Sequence, residues 1–239
     1  MDLEVCTNQS HWVNEEESMS QTTTDMNASY TGVRMDVVDL IPESVSRLLD
    51  IGCSVGSIGK EVKIKAQHCK VFGIEYDESM AKIAEQAIDG VLISDLNKIK
   101  LLDHYEPANF DCVVAADILE HLLDPWSMLD QIITVLSPGG YIVVSLPNVS
   151  HVSTFVSLLR KEWPYRDRGI HDKTHLRFFS LRNILTMFNS NDIEIVRLER
   201  NMRLIEKPHR FNRISKLLNI WPIRDYFTYQ YLILVKKRK

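Results

Sequence analysis

The sequence predicts an α/β fold with a doubly wound, mostly parallel sheet of seven strands, and three observations lead to this prediction. Short apolar runs alternate with helix-like stretches along the 239 residues, in the rhythm strand, helix, strand, helix. The run at 110–116 is apolar almost throughout, as is typical of a central parallel strand buried on both faces. Small and acidic residues follow the runs, and such sheets bind their ligands at these carboxyl ends.

The first strand leads into a turn of small residues at 47–59. An apolar run ends at Asp50, small residues follow at Gly52, Ser54 and Gly56, and a helical pattern then resumes. Residues this small let a ligand approach the main chain, and the helix N-terminus favours an anionic group. Serine replaces two of the three glycines of the dinucleotide fingerprint, so the turn does not fit a dehydrogenase.

The next three strands also end in candidate ligand-binding residues. The second ends on Glu75, 23 residues beyond Gly52, where an acid can accept hydrogen bonds from both ribose hydroxyls of a nucleotide. Tyr76 follows it and is expected beside the base of the same nucleotide. The third strand, at 90–94, and the fourth, at 110–116, are each followed by an acid, and a fifth strand is expected at 141–146.

These motifs occur in the order found in class I S-adenosylmethionine (SAM)-dependent methyltransferases, over residues 30–147. They read Leu-Asp-Ile-Gly-Cys-Ser-x-Gly, Gly-Ile-Glu, Ser-Asp-Leu, Phe-Asp-x-Val, Leu-Glu-His-Leu-x-Asp-Pro and Leu-Ser-Pro-Gly-Gly. The chain resembles the small-molecule members of this class, which include ubiquinone-pathway O-methyltransferases and enzymes that modify sugars and natural products. The resemblance implies a Rossmann-like fold with an antiparallel last strand and inserted lid helices, SAM as cofactor and S-adenosylhomocysteine as product.

The resemblance also implies the cofactor site. A helix expected ahead of the first strand offers Tyr30 and Arg34, the latter for the carboxylate of SAM, and Asp95 with Leu96 is expected at the adenine. The full set of expected cofactor residues is Tyr30, Arg34, Asp50, Gly52, Cys53, Ser54, Gly56, Glu75, Tyr76, Asp95, Leu96, Asp117 and His121.

Acceptor-side residues are expected in two insertions, at about 148–180 and 201–226. The first contains His175, His151 and His171, which are candidates for a base because histidine accepts protons near neutral pH. A structural role, with a histidine pinning the loop, stays open for each of them. The second reads as a basic amphipathic helix over 204–226, which would serve as a substrate lid, a homo-oligomer contact or a membrane-surface helix.

A metal site is a weaker alternative. Asp117, Glu120 and His121 resemble the Glu-x-x-Glu-His patch of ubiquinone-pathway enzymes, and such ligands suit Mg²⁺ or Mn²⁺. Aspartate stands where that patch begins with glutamate, and no metal is predicted.

Composition and length indicate a polar arm at 1–28, expected to be disordered, and one methyltransferase domain at 29–239. Four cysteines without paired spacing predict neither a disulfide framework nor a zinc site. No apolar run is long enough to span a bilayer and no signal pattern begins the chain, so a cytoplasmic protein is expected.

The predicted function is methyl transfer from SAM to an oxygen or nitrogen of a small molecule. The expected acceptor is a sugar, including a nucleotide-linked one, or a secondary metabolite, in polysaccharide or natural-product biosynthesis. Two alternatives stay open: a protein that binds SAM without turnover, and an RNA or protein methyltransferase. No nucleic-acid partner is expected, because the Asn/Asp-Pro-Pro-Tyr/Phe signature is absent after the fourth strand.

Overall fold

The computed structural model of the chain describes residues 32–189, 192–205, 212 and 218–238. The strands are β1 (Arg47–Ile51), β2 (Lys70–Glu75), β3 (Gly90–Ile93), β4 (Phe110–Ala116), β5 (Leu136–Pro147), β6 (Ile193–Met202) and β7 (Thr228–Lys237). The helices are α1 (Met35–Val38), α2 (Ser57–Lys65), α3 (Glu78–Ala84), α4 (Pro125–Val135), α5 (Val152–Leu159) and α6 (Leu181–Met187). Short 3₁₀ helices lie at Leu101–Asp103, Leu119–His121 and Ile223–Tyr226.

The strands form one seven-stranded sheet in the order β3-β2-β1-β4-β5-β7-β6. Neighbours from β3 to β5 are parallel, whereas β7 is antiparallel to both β5 and β6. This confirms the predicted mostly parallel sheet with an antiparallel last strand. The chain reverses its strand order between β1 and β4, which is where open parallel sheets bind ligands.

The apolar core lies on both faces of the sheet. Alternate residues of β1 and β4 divide between two buried clusters, with Leu49, Ile51, Val113 and Ala115 in one and Leu48, Cys112 and Val114 in the other. All seven side chains are fully buried. The central strands are therefore covered on both sides, as their apolar sequence predicts.

Gly59 lets α2 lie close to the sheet. A Cβ atom at this position would meet Ile88 Cγ2 at 2.5 Å and Val71 Cγ1 at 2.7 Å. Only a residue without a side chain allows this approach, which brings the first turn of α2 next to the end of β1.

Some predicted elements differ in extent. The helix expected at 29–41 is limited to α1 among the described residues, because the chain leaves the helix at Asp39 ahead of Pro42. The fifth strand, expected at 141–146, is longer: β5 also includes the Ser-Pro-Gly-Gly stretch at 137–140 and pairs with β4 across a register shift between Phe110 and Cys112. No helix in the described ranges is long and apolar enough to cross a membrane.

Several predictions fall on residues that are not described. The polar arm at 1–28, the boundary at 29, Tyr30 and residues 206–211 and 213–217 of the 204–226 segment lie outside the described ranges. The domain division and the homo-oligomer contact therefore stay predictions.

Replacing Gly59 with alanine is expected to lower the free energy of unfolding by about 1–2 kcal/mol, because overpacking outweighs a gain in helix propensity of about 1 kcal/mol. Urea unfolding followed by circular dichroism measures the change. Lys60→Ala, at the exposed neighbouring position of α2, is the control and should change stability by less than about 0.5 kcal/mol. A Gly59→Ala protein as stable as the wild type would contradict the close approach of α2.

Candidate active site

A cleft of about 320 Å³ opens at the carboxyl ends of β1 to β4. Six predicted cofactor residues line it: Gly52, Glu75, Tyr76, Asp95, Leu96 and His121. Ile74, Asn97, Ile118 and Leu122 complete the lining and were not predicted. The volume lies in the range of small-ligand pockets, and apolar walls with a few polar groups are typical of them.

Gly52 brings bare main chain to the cleft. Its φ is +75°, a left-handed conformation that disfavours a side chain. A Cβ atom here would lie 2.8 Å from Ile118 Cδ1, so a larger residue would displace the segment after β4. The turn after β1 and the segment after β4 thus meet at Gly52.

Glu75 is held by three main-chain amides. Its Oε2 accepts a hydrogen bond from Ser54 N at 2.8 Å, and its Oε1 accepts from Tyr76 N and Asp77 N, both at 2.9 Å. The carboxylate therefore ties the end of β2 to the small-residue turn after β1. A carboxylate has about four acceptor sites and the amides occupy three, so Oε2 can still accept a hydroxyl group from a ligand.

The far wall is formed after β3. Asp95 accepts a hydrogen bond from Asn97 N at 2.9 Å. Its carboxylate also lies 2.9 Å from Lys98 Nζ, and the hydrogen bond from Lys98 lowers the pKa of Asp95. Asn97 Oδ1 accepts from Leu123 N at 2.8 Å and so joins this loop to the loop after β4. The sequence offered only one signal for Asn97, its position two residues after Asp95.

Four predicted residues support the cleft without lining it. Asp50 is 2% exposed, and burial, followed by the nearby charge of Glu75, raises its pKa to about 7. Cys53 is buried beneath the turn, and burial raises the pKa of its thiol. Ser54, at φ +51°, donates its amide hydrogen to Glu75, and Gly56 is the N-cap residue of α2.

Arg34 and Asp117 bind each other. The Arg34 guanidinium donates to Asp117, to Asp36, to Ser145 Oγ at 3.1 Å and to Gln230 Oε1 at 3.2 Å. Asp117 Oδ1 also accepts from Ser145 Oγ at 2.9 Å. Neither residue lines the cleft, so the geometry does not favour the expected contacts of Arg34 and Asp117 with the cofactor.

His121 is the histidine that lines the cleft. Its Nδ1 lies 3.3 Å from the Thr174 carbonyl oxygen and 3.1 Å from Thr174 Oγ1, which donates its own proton to Asp172 Oδ1 at 2.6 Å. Because both Thr174 oxygens can only accept here, Nδ1 carries the hydrogen and Nε2 keeps the lone pair. In this tautomer His121 can accept a proton at Nε2.

His175 and Glu120 lie behind His121. The two imidazole rings are 4.7 Å apart, and His175 Nδ1 lies 3.2 Å from the Ile170 carbonyl oxygen. His175 Nε2 is 3.9 Å from Glu120 Oε1, and both side chains are almost fully buried. Burial raises the pKa of Glu120 well above its usual value, and burial followed by His121 lowers the pKa of His175.

His151 and His171 are fully buried away from the cleft. His151 caps α5 by accepting from Ser153 N at 3.2 Å, and its Nε2 donates to the Arg203 carbonyl oxygen at 2.7 Å. His171 Nε2 lies 3.2 Å from Thr154 Oγ1. This geometry favours structural roles over the predicted role of base.

The group of described residues that could hold a metal is Glu120, His121 and His175, whose ligand atoms lie within 4.8 Å of one another. This differs from the sequence alternative, which contained Asp117. His175 takes that place because Asp117 is bound to Arg34.

The cleft fits an adenosyl ligand. Gly52 provides main chain without a Cβ, Glu75 provides acceptors for hydroxyl groups, and Ile74, Ile118 and Leu122 provide apolar walls for a ring system. Carboxylates and main-chain amides near a helix N-terminus suit a ligand with both hydroxyl and charged groups.

Comparison with known proteins gives three kinds of likeness. A family model described as a methyltransferase domain matches residues 27–198. A ubiquinone biosynthesis O-methyltransferase of Xylella fastidiosa is 28% identical over 145 residues, which are 58% of each chain. A second relative of that name, from Ralstonia nicotianae, is 25% identical over 146 residues, 59% of this chain and 60% of its own length. The chain thus spans about three fifths of the length of these curated relatives.

Solved structures share the fold. A SAM-dependent methyltransferase from Archaeoglobus fulgidus superposes with a TM-score of 0.57 at 18% identity, over 93% of this chain and 95% of its own. The plantazolicin methyltransferase BpumL, solved with S-adenosylhomocysteine, gives a TM-score of 0.62 at 13% identity, over 94% and 92%. The chain therefore belongs to the methyltransferase domain family, and its fold is that of the class I SAM-dependent methyltransferases.

Proposed function

We propose that the chain is an enzyme that transfers a methyl group from SAM to a hydroxyl oxygen of a small molecule. The observation that carries this proposal is the Glu75 carboxylate, fixed by three amides at the wall of a cleft of suitable size. The methyltransferase family supports the reaction, and relatives named O-methyltransferases support oxygen as the acceptor atom. A sugar or secondary metabolite as acceptor, a biosynthetic role and a cytoplasmic location stay predictions.

Different residues of the cleft contact different parts of the cofactor. Glu75 binds the ribose hydroxyls, while Tyr76 and the segment from Asp95 to Asn97 surround the adenine. Gly52 lets the ligand approach the turn after β1. When bound, SAM supplies a methyl group already activated by its sulfonium, so the chain mainly aligns the acceptor and excludes water.

His121 accepts the proton of the acceptor hydroxyl at Nε2. It lines the cleft, and Thr174 fixes its tautomer through Nδ1. Asp172 in turn holds Thr174, so both residues act as positioning residues from the 148–180 insertion. The base candidates predicted from the sequence were His151, His171 and His175. His121, which the sequence predicted as a cofactor residue, takes their place.

The first test is calorimetric titration with SAM and with S-adenosylhomocysteine. Glu75→Gln is expected to weaken binding of both by about tenfold or more, because it removes charged hydrogen bonds to the ribose. Glu106→Gln, an exposed acid away from the cleft, should bind as the wild type does. A wild-type chain that binds neither adenosyl ligand would contradict the cofactor site.

The second test is release of S-adenosylhomocysteine with a panel of phenols, catechols and nucleotide-linked sugars. With an acceptor from this panel, His121→Gln is expected to lower kcat by about 100-fold, a larger factor than its effect on the affinity for SAM, because proton transfer is lost. His68→Gln, at an exposed position, should retain full activity.

Removal of metal distinguishes two roles for His121, that of a base and that of a metal ligand. Because the sulfonium activates the methyl group, the chain dialysed against EDTA should keep its rate. A rate that falls and returns with Mg²⁺ would show that His121 acts with Glu120 and His175 as a metal ligand. Absence of turnover across the panel, with SAM still bound, would point to a binding protein.

A further inference from the structure

Helix α5 carries its apolar residues on the outside. Its central polar residues, Thr154 and Ser157, are buried. Its apolar residues face solvent, with exposed fractions of 47% for Phe155, 40% for Val156, 54% for Leu158 and 84% for Leu159. A surface helix normally does the opposite and buries its apolar stripe.

Hydrogen bonds on the polar face fix this orientation. His151 caps the first turn and donates to the Arg203 carbonyl oxygen, and Thr154 Oγ1 contacts His171 Nε2. Rotating α5 to hide its leucines would break these bonds and leave buried polar groups unpaired, at a cost of about 1–3 kcal/mol each. The apolar face is therefore a stable surface feature.

A second segment extends this surface. The rings of Phe155 and Tyr226 are in contact, with centroids 5.7 Å apart. Tyr226 ends the 3₁₀ helix that begins at Ile223, and these two side chains are 49% and 40% exposed. Trp221, just before that helix, is 77% exposed. We call Phe155, Val156, Leu158, Leu159, Ile223 and Tyr226 the α5 surface.

Cations flank the α5 surface. Arg160 and Lys161 directly follow α5, and Arg168 lies further along the same loop, all three exposed. Of the two acids in that stretch, Asp167 is paired with Lys173 at 2.7 Å. In the sequence, 197–224 holds eight Lys or Arg against two acids, so the chain that leads to Tyr226 is basic.

We propose that the α5 surface docks on an anionic phospholipid bilayer. Apolar side chains insert at the level of the headgroups, exposed Trp and Tyr suit this interface, and Arg and Lys bind the phosphates. A two-fold contact between copies fits less well, because it would bring the same cations of both chains together. A helix of eight residues lies on the surface and does not span it.

Docking has a consequence for the acceptor, which rests on the proposed function. Helix α5 starts five residues after β5 ends, at the edge of the sheet where the cleft opens. A chain docked through α5 would therefore take its acceptor from the membrane, which favours a hydroxylated compound with an apolar tail.

Flotation of the full chain with vesicles tests the docking. Phosphatidylcholine vesicles with a third phosphatidylglycerol should bind the chain, and pure phosphatidylcholine should bind it far more weakly. Leu158→Ser/Leu159→Ser and Arg160→Gln/Lys161→Gln are each expected to lower partitioning to anionic vesicles by about tenfold. Ile64→Ser/Ile83→Ser, at similarly exposed positions of α2 and α3, is the matched control and should float as the wild type does.

Three results would overturn the proposal. These are no binding of the wild type to anionic vesicles, binding of Leu158→Ser/Leu159→Ser equal to that of the wild type, or binding of Arg160→Gln/Lys161→Gln equal to that of the wild type. Light scattering adds a further check on the oligomeric state. If the wild type is a dimer that does not bind vesicles, and Leu158→Ser/Leu159→Ser is a monomer, the α5 surface is a contact between copies. Titration of each variant with SAM keeps the two proposals separate. Lost docking with intact SAM affinity refutes only the docking, and absent SAM binding refutes only the proposed function.

Discussion

The candidate active site depends on one carboxylate, that of Glu75. Its bonds to the amides of Ser54, Tyr76 and Asp77 join the ends of two neighbouring parallel strands. Charge-assisted hydrogen bonds of this kind are stronger than neutral ones, so they hold the turn after β1 in one conformation. The same charge acts on buried Asp50, whose pKa is raised to about 7 by burial and by Glu75.

The rest of the cleft follows from this constraint and from close packing. With the turn fixed, only glycine fits at position 52, because a Cβ atom there would collide with Ile118. Gly59 likewise allows α2 to approach the sheet. The segment after β4 then brings His121 to the cleft, where Thr174 sets its tautomer. The residues of the cleft thus come from strand ends, and the insertion after β5 supplies Thr174, which holds His121.

The sequence predicted the parts of the site that depend on short-range spacing. Glu75 and Gly52 follow from the spacing within one βαβ unit, and the burial of β4 follows from its composition. Contacts between distant residues could not be read in this way. Arg34 binds Asp117, which lies 83 positions away in the sequence. Which histidine can act as the base depends on how the insertion packs, because this packing buries His151 and His171.

The most direct measurement of the central claim is a crystal structure of the chain with S-adenosylhomocysteine. We predict a ribose hydroxyl within hydrogen-bond distance of Glu75 Oε2, the adenine between Tyr76 and the Asp95 to Asn97 segment, and the sulfur facing His121. Ligand density elsewhere on the sheet, or a ribose that makes no contact with Glu75, would contradict the account.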